Sequence, residues 1–471
     1  MKQLVVFVVF YLLVVKPAYN QQAEVLYKTY CGGCHGSNLE GNSAPALFKT
    51  KWLHGSTRNA IFQTIKAGIP NTEMKGWGNV LKDNQISTLT DFITASQNRP
   101  AKTKDTIPAK LVTEDYVLKV EKVVTSNITT PWAIEFVNAN RALISEKSGK
   151  LRWLVNGSLD TVPIRGLPAT HTASSTGGFM DIALDPEYSQ NEWVYLGFSY
   201  TKGNIHDKDA PGMTKIIRGK IKNHEWTDQQ TLFEVPDSLM VARGDRWGCR
   251  FLFDKAGYLY FTIGDMGKAD DSQDLTRATG KVYRIHPDGS VPKDNPFVKT
   301  PAALPAIFTY GNRNVEGIAQ HPVTGAIWAT EHGPRGGDEL NILKKGENYG
   351  WPVITYGIDY SGKIVSDKTA RKGMQQPVVQ WTPSIAVCPA EFCTSPLFAK
   401  WKNNLMVGAL AFEELRRLVI VNEKVTKQEI IMKGFGRVRD IKTAPDGALY
   451  VLLNKPDMVL RITPVKGSKL K

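Results

Sequence analysis

This chain has little cysteine, no long apolar run and no block of like charge. Five cysteines in 471 residues are too few for a disulfide scaffold. A zinc knuckle would need a second Cys/His pair beside Cys31 and Cys34, and the other cysteines, Cys249, Cys388 and Cys393, lie far away in sequence. The apolar stretch Leu4 to Val15 is about a dozen residues, short of a comfortable bilayer crossing at the helical rise, so no integral membrane domain is expected. The net charge is +14, yet Lys and Arg are scattered and no helical pattern carries a basic stripe, which removes nucleic acid as an expected partner. Solubility, or attraction to an acidic redox partner or surface, is the more modest inference from that charge. Beyond about Leu111 the chain also has few helical patterns.

What is present is most concentrated in Cys31-Gly32-Gly33-Cys34-His35. Two thiols at that spacing, followed at once by an imidazole, are what covalent haem attachment requires. The sulfurs add to the two vinyl groups of one porphyrin, and His35 turns its ring onto the iron. A thioredoxin-like redox pair is the other reading of the two cysteines, but no βαβ pattern surrounds them. The sixth iron ligand should be a thioether or a second imidazole on a loop that folds back over the haem edge. Met74, in Ile69-Pro70-Asn71-Thr72-Glu73-Met74, is that candidate, ahead of His54. Methionine is more often core filler, but this one lies in a polar, Pro-punctuated loop between two helical patterns. The first has Ser56 or Thr57 as cap and Ile61, Phe62 and Ile65 on its apolar face. The second has Asp83 or Asn84 as cap, then Ile86, Leu89, Phe92 and Ile93. Helix, haem motif, Pro45 loop, helix, Met loop and helix in that order resemble a class I cytochrome c, so residues 21–98 are read as a small all-α domain carrying haem c.

Compartment follows from the N-terminus. Met1-Lys2, the apolar run and the exit Pro17-Ala18-Tyr19-Asn20 read as a cleaved export signal over residues 1–20, with an uncleaved anchor as the alternative. No cysteine stands at the exit, which argues against a lipoprotein. Haem attachment of this type on an exported chain implies a periplasm or the outside of a cell.

Residues 99–112 are polar, Pro-bounded and without apolar period, and read as a linker. From 113 to 471 the texture is short strands, organised by an internal repeat in which an apolar run, a turn of Asp, Asn, Pro or Gly, and a second apolar run follow one another. Trp132–Phe136 leads to Ala142–Ile144, Met180–Leu184 to Trp193–Leu196, and Phe251–Asp254 to Tyr258–Tyr260. Then come Gly317–Ala319 to Ile327–Trp328, Leu397–Phe398 to Leu405–Val407, and Ile441 to Leu449–Val451. A pair of β-sandwiches does not need the same hairpin six times, so the expected fold is an all-β six-bladed propeller with long loops on one face.

Several segments then resemble the soluble quinoprotein sugar dehydrogenases, the glucose/sorbosone and aldose sugar dehydrogenase family, which bind pyrroloquinoline quinone (PQQ) with calcium. The matching stretches, in family order, are Thr176-Gly177-Gly178-Phe179-Met180-Asp181, Gly264-Asp265, Asp288–Pro296, Tyr310-Gly311-Asn312-Arg313-Asn314, Glu331–Asn341, Asn348-Tyr349-Gly350-Trp351-Pro352 and Gly436-Arg437-Val438-Arg439-Asp440. PQQ carries three carboxylates and two quinone oxygens, so its site must offer forked donors and a hard cation on oxygen ligands. By this resemblance Arg437 and Arg439, alternating on one strand, clamp cofactor carboxylates, and Arg313 lies beside the reactive carbonyl with Asn314 next to it. The carbonyls of Gly333 and Pro334 hold calcium, and Trp381 is the aromatic wall. The implied substrate is an aldose or related alcohol, with electrons passing to the fused haem and on to an external acceptor.

The departures from the family pattern fall in the pocket. The position of the family's histidine base, fixed by Gly248 and Arg250, is Arg246, and guanidinium cannot serve as a base at ordinary pH. Thr176 replaces a glutamine, Asn312 replaces the histidine before the pocket arginine, and the lysine found on the fifth blade of some members aligns near Ala411. Asp245 or His171 could supply the base, or the pocket has none. Two further readings therefore stand beside sugar oxidation: a propeller that binds a saccharide or partner while the cytochrome relays electrons, and a quinoprotein dehydrogenase of a non-sugar substrate. Cys249, Cys388 and Cys393 fall in or near pocket loops, paired or as buried thiols.

Overall fold

The computed structural model describes residues 22–97 and 106–465, apart from 37, 42–43, 49–51, 71, 73, 75 and 174–175. The expected export signal and the first half of the expected linker, residues 99–105, lie outside the described residues. No helix among the described residues is long and apolar enough to cross a membrane.

The N-terminal unit is helical: α1 (22–30), α2 (Gly32–His35), α3 (Arg58–Ala67) and α4 (Asp83–Ser96). Helix α3 starts at one of its two expected caps, with Thr57 Oγ1 accepting the Ala60 N–H at 3.2 Å. Helix α4 is capped one residue earlier than expected, at Lys82, whose backbone N–H is taken by the Gln85 side chain at 3.0 Å. Asp83 instead occupies the first turn, where its carboxylate suits the positive end of the helix, and it pairs with Lys66 at 2.8 Å. The expected apolar faces meet: Ile61 and Ile65 pack with Ile86, Leu89 and Ile93 around Tyr27, Trp77 and Leu81.

The remainder is a six-bladed β-propeller. Blade 1 comprises Pro131–Asn138, Arg141–Glu146, Lys150–Val155 and Ser158–Leu159; blade 2, Phe179–Leu184, Val194–Thr201, Gly212–Lys222 and Glu225–Phe233. Blade 3 is Phe251–Phe253, Leu259–Ile263, Lys281–Ile285 and Ile307–Tyr310, and blade 4 is Val315–Gln320, Ile327–Glu331, Asp338–Leu343 and Val379–Trp381. Blade 5 is Val387–Phe392, Leu405–Ala409, Glu414–Val421 and Lys424–Lys433. Here the expected first run was misplaced: Leu397 and Phe398 lie in a 3₁₀ turn (Pro396–Trp401), and the inner strand is Val387–Phe392. Blade 6 closes the ring. Its strands Arg437–Thr443, Leu449–Asn454 and Met458–Pro464 come from the end of the chain, and Val117–Val124, from the start of the propeller, pairs antiparallel with the last of them. Lys110–Val112, at the end of the expected linker, adds a fifth strand at its edge.

The inner strands converge on one arginine. Arg250, 4% exposed, donates Nη1 to Asp440 Oδ1 at 3.0 Å and Nε to the Glu316 carbonyl at 2.8 Å, and lies 3.7 Å from Asp181 Oδ1. Asp440 in turn accepts the Ile134 N–H at 2.9 Å. One guanidinium thereby ties together blades 2, 3, 4 and 6, with blade 1 joined through Asp440. On one side of this plug the axial channel widens into a cavity of about 390 Å³ lined by the far ends of the inner strands, including Glu135, Glu391 and Lys442. On the other side lie the loops that carry the expected site residues.

Candidate functional site

In the helical unit, α2 places Cys31, Cys34 and His35 on little more than one turn, so both thiols and the imidazole project from one short segment. The His35 Nδ1 lies 2.7 Å from the Pro45 carbonyl. A carbonyl only accepts, so Nδ1 carries the proton and Nε2 keeps its lone pair, the orientation a metal-bound histidine needs. Burial favours the neutral ring by lowering the His35 pKa. Met74 packs against the cytochrome core from a loop held by Ile69 N–H to Met74 carbonyl at 2.8 Å and Met74 N–H to Thr72 Oγ1 at 3.1 Å. These donors fit a haem: His35 and Met74 would hold the iron, and Cys31 and Cys34 the porphyrin.

At the loop end of the propeller, the expected residues form one connected chain. Thr176 Oγ1 donates to Asp245 Oδ1 at 2.6 Å and accepts the Arg246 backbone N–H at 3.0 Å. The Arg246 Nε donates to Asp265 Oδ1 at 2.7 Å, and the Trp351 indole N–H to Asp265 Oδ2 at 2.9 Å. Burial works against the charge of Arg246, but the Asp265 carboxylate outweighs it and raises the pKa above the usual arginine value. Trp351 lies 5.2 Å from the Arg313 guanidinium, whose Nη1 donates to the carbonyls of His332 at 3.1 Å and Gly333 at 2.7 Å. From the next residue, Asn314 Nδ2 reaches Glu316 Oε1 at 2.9 Å, and the other Glu316 oxygen takes Arg439 Nη1 at 3.2 Å. Arg437, two residues along the same strand, is pushed down to about 10 by burial and by the charge of Arg439. Lys147 is lowered by burial and by Arg439, against the pull of Asp245.

Buried atoms without hydrogen-bond partners gather in this region: Arg313 Nε, Asn314 Oδ1, His332 Nε2 and Arg335 Nη1. Leaving such atoms unpaired costs free energy, and Arg313 Nε is a guanidinium nitrogen at the pocket, which suits a carboxylate of PQQ. The fit for calcium is narrower. The Gly333 carbonyl is a suitable hard donor, but it already accepts from Arg313, and among the described residues no group of three or more His, Cys, Asp or Glu is arranged to hold a metal. Gly333 and Pro334, through their carbonyls, are the residues that would hold such an ion.

One expected residue lies elsewhere. The Trp381 ring packs into the blade 4–blade 5 core with Trp328 and Val387 and donates its indole N–H to Gln428 at 3.1 Å, because its place in the edge strand turns it inward. The rings that face Arg313 are Trp351 and Tyr360, the latter at 5.9 Å. Asp265, Glu316, Trp351, Tyr360 and Lys147 are the pocket members that sequence reasoning did not single out. Asp265 and Trp351 stood inside quoted motifs, where a polar or aromatic residue flanked by glycine was the available signal. His171 is buried with its ring 5.6 Å from that of Trp247. No disulfide joins any of the five cysteines. Cys388 lies between Arg250 and Arg439, 3.5 Å from a nitrogen of each. Cys393 is five residues farther along an extended strand, roughly 16 Å away at about 3.3 Å per residue, too far for a disulfide.

Comparison with known proteins agrees with this two-part division. Residues 128–461 match the family model described as Glucose / Sorbosone dehydrogenase, and residues 18–93 match that of Cytochrome C oxidase, cbb3-type, subunit III. The chain is 35% identical to aldose sugar dehydrogenase YliI of Escherichia coli over 350 residues, 73% of this chain and 92% of that protein. It is 34% identical to cytochrome c55X of Stutzerimonas stutzeri over 90 residues, 19% of this chain and 79% of that one. The crystal structure of the soluble aldose sugar dehydrogenase from Escherichia coli in its apo form superposes with a TM-score of 0.68 at 32% identity, covering 74% of this chain and all of that one.

Proposed function

The chain belongs to the glucose/sorbosone dehydrogenase family and carries a cytochrome c domain ahead of its propeller, and from that premise we propose that it is an exported, PQQ-dependent dehydrogenase of an aldose sugar or related alcohol. Electrons leave through its own haem to an external acceptor. The observation that carries this reading is the continuous network from Thr176 to Arg439, in which the buried Arg313 Nε has no protein partner and suits a carboxylate. When bound, the quinone supplies a two-electron acceptor.

The chain's own residues bind and orient. Arg313, Arg437 and Arg439 supply forked donors, while the Glu316 carboxylate holds Arg439 in place. Arg246 cannot take a proton, because Asp265 keeps it charged. Asp245, whose side chain is 44% exposed at the mouth and fixed by Thr176, is left to take the proton from the substrate hydroxyl. The test is to add PQQ and calcium to purified haem protein and follow the haem band during challenge with a panel of sugars. Reduction by any aldose supports the proposal.

The locking of Arg246 onto Asp265 favours a second reading, in which the pocket binds a saccharide or partner without oxidising it, or oxidises a non-sugar substrate. Bound quinone with no sugar-dependent reduction points there; failure to bind quinone leaves the non-catalytic form alone. Arg246→His separates the readings further, since an otherwise intact pocket should gain sugar activity from it.

A further inference from the structure

The cytochrome unit is seated on the pocket end of the propeller at two places. At blade 4, Arg335 directly follows the Gly333-Pro334 turn, and its guanidinium lies 4.1 Å from the ring centre of Trp77 in the cytochrome. Trp77 in turn packs in one cluster with Cys31 and lies 5.5 Å, ring to ring, from Tyr30, the residue before Cys31. The Arg335 backbone exchanges two hydrogen bonds with Ile358, at 2.9 and 3.1 Å, which pin the following loop. Ile358 packs on the cytochrome core. Gly362 approaches so closely that a Cβ there would meet Val80 Cγ2 at 3.1 Å and Trp77 Cζ3 at 3.4 Å, and its φ of +87° is itself glycine's territory. Between those two contacts the loop turns Tyr360 back toward Arg313 of the pocket. At blade 5, Lys28 of α1 lies 5.6 Å from the ring of Phe412, in the turn whose Leu410 carbonyl accepts from Arg437.

We propose that Arg335 and the loop 358–364 form a docking platform that holds the porphyrin's thioether edge at the rim of the quinone pocket, with Arg335 the positioning residue common to both sites. The reasoning is geometric. Cys31 marks the edge at which a porphyrin is covalently carried, and Arg335 packs on Trp77, a member of the same cluster as Cys31, while standing next to the turn that borders the pocket. A tether alone gives only a high effective concentration; a packed contact of Trp77, Val80 and Ile358 fixes distance and orientation. Because the contact is apolar and cation–π rather than a salt bridge, added salt should loosen it little.

The platform's service as an electron outlet rests on the function proposed above; the docking does not. In that service one sugar oxidised yields two electrons and two protons. The ferric haem is reduced to ferrous twice in succession, each electron passing to an external one-electron acceptor, and the protons go to solvent.

Trp77 sits in the cytochrome core, so its removal would confuse docking with folding. Arg335→Gln and Gly362→Val leave that core intact. In the purified haem protein without quinone or sugar, both variants should lower the haem midpoint potential, since a cation at the porphyrin edge favours the ferrous state. Small-angle scattering should show a larger maximum dimension for Gly362→Val. With PQQ, calcium and sugar, Gly362→Val should slow haem reduction at least tenfold while a dye that takes electrons directly from the pocket is reduced within twofold of the parent rate. An unchanged potential in both variants, or unchanged scattering in Gly362→Val, overturns the proposal. If no sugar reduces the parent haem, the proposed function fails, and the docking is still decided by potential and scattering.

Discussion

In the cytochrome unit Cys31, Cys34 and His35 share one short helix, and only Met74 arrives from a separate loop; in the propeller Thr176, Arg246, Arg313, Gly333 and Arg439 are gathered from loops and strands of several blades. The first kind of site is specified by spacing along the chain and survives almost any context that keeps one turn of helix. The second exists only once the ring has closed, with Val117–Val124 paired to Met458–Pro464 and Arg250 joining the inner strands. A local site should therefore fail alone, and a distributed one should fail together with its scaffold.

The largest effect tests the local half. Cys31→Ala with Cys34→Ala should abolish covalent haem, read as loss of the haem band from the denatured polypeptide, while the thermal unfolding of the propeller is unchanged. A propeller that melts at a lower temperature in this variant would mean that the docked cytochrome is part of its stability.

Next comes the scaffold. Arg250→Met leaves Asp181 and Asp440 without their cation in the centre of the ring. Breaking a buried pair on one side costs about 3–5 kcal/mol. Denaturant unfolding should show that loss in the propeller transition with the haem spectrum intact. A cost near zero would show that the axis is not where the blades are held.

How much could be read beforehand follows the same division. The haem motif, the Met loop and both helical faces were legible because each depends on residues near one another in sequence. Five of the six hairpins were legible for the same reason, through strand alternation and turn residues. What escaped was non-local. The closing strand Val117–Val124 looks like any other strand until its partner is known. The inner strand Val387–Phe392 holds a cysteine, a proline and a glutamate, which blunt its alternation, so the apolar pair Leu397–Phe398 reads as the stronger run. Trp381 was placed by resemblance and is turned inward by its strand, whereas Trp351 and Tyr360 ride on long loops whose path no periodicity reveals.

A smaller effect sharpens the pocket itself. Arg313→Gln removes a forked cation that also braces the His332 and Gly333 carbonyls. Loss of a charge-assisted hydrogen bond costs about 1.5–3 kcal/mol, so PQQ affinity measured by titration of the apo-pocket should fall roughly tenfold to a hundredfold. The unfolding midpoint should move much less than in Arg250→Met. If the two variants destabilise equally, Arg313 is structural and the pocket assignment weakens.

The smallest effect is a slope with pH. Burial raises the Asp181 pKa to about 7, against the pull of Arg250 and with a contribution from the neighbouring Asp440 charge. Its unfolded value is that of an ordinary aspartate, about 3.9, so between these two values the folded state holds a proton that the unfolded chain has released. Stability contributed by this group must then fall as pH rises from about 4 to 7, by up to about 1.4 kcal/mol per pH unit, and level off above that. Asp181→Asn removes the titration while keeping a side-chain oxygen to accept from Phe251 N–H, now at 2.7 Å. Unfolding free energy measured across pH 4.5–8 should lose that part of its downward slope in the variant. The Cys31→Ala, Cys34→Ala protein, whose propeller is untouched, should keep it. An identical slope in Asp181→Asn would place the buried proton elsewhere along the axis, with Glu135 and Glu391, both raised first of all by burial, as the groups to substitute in turn.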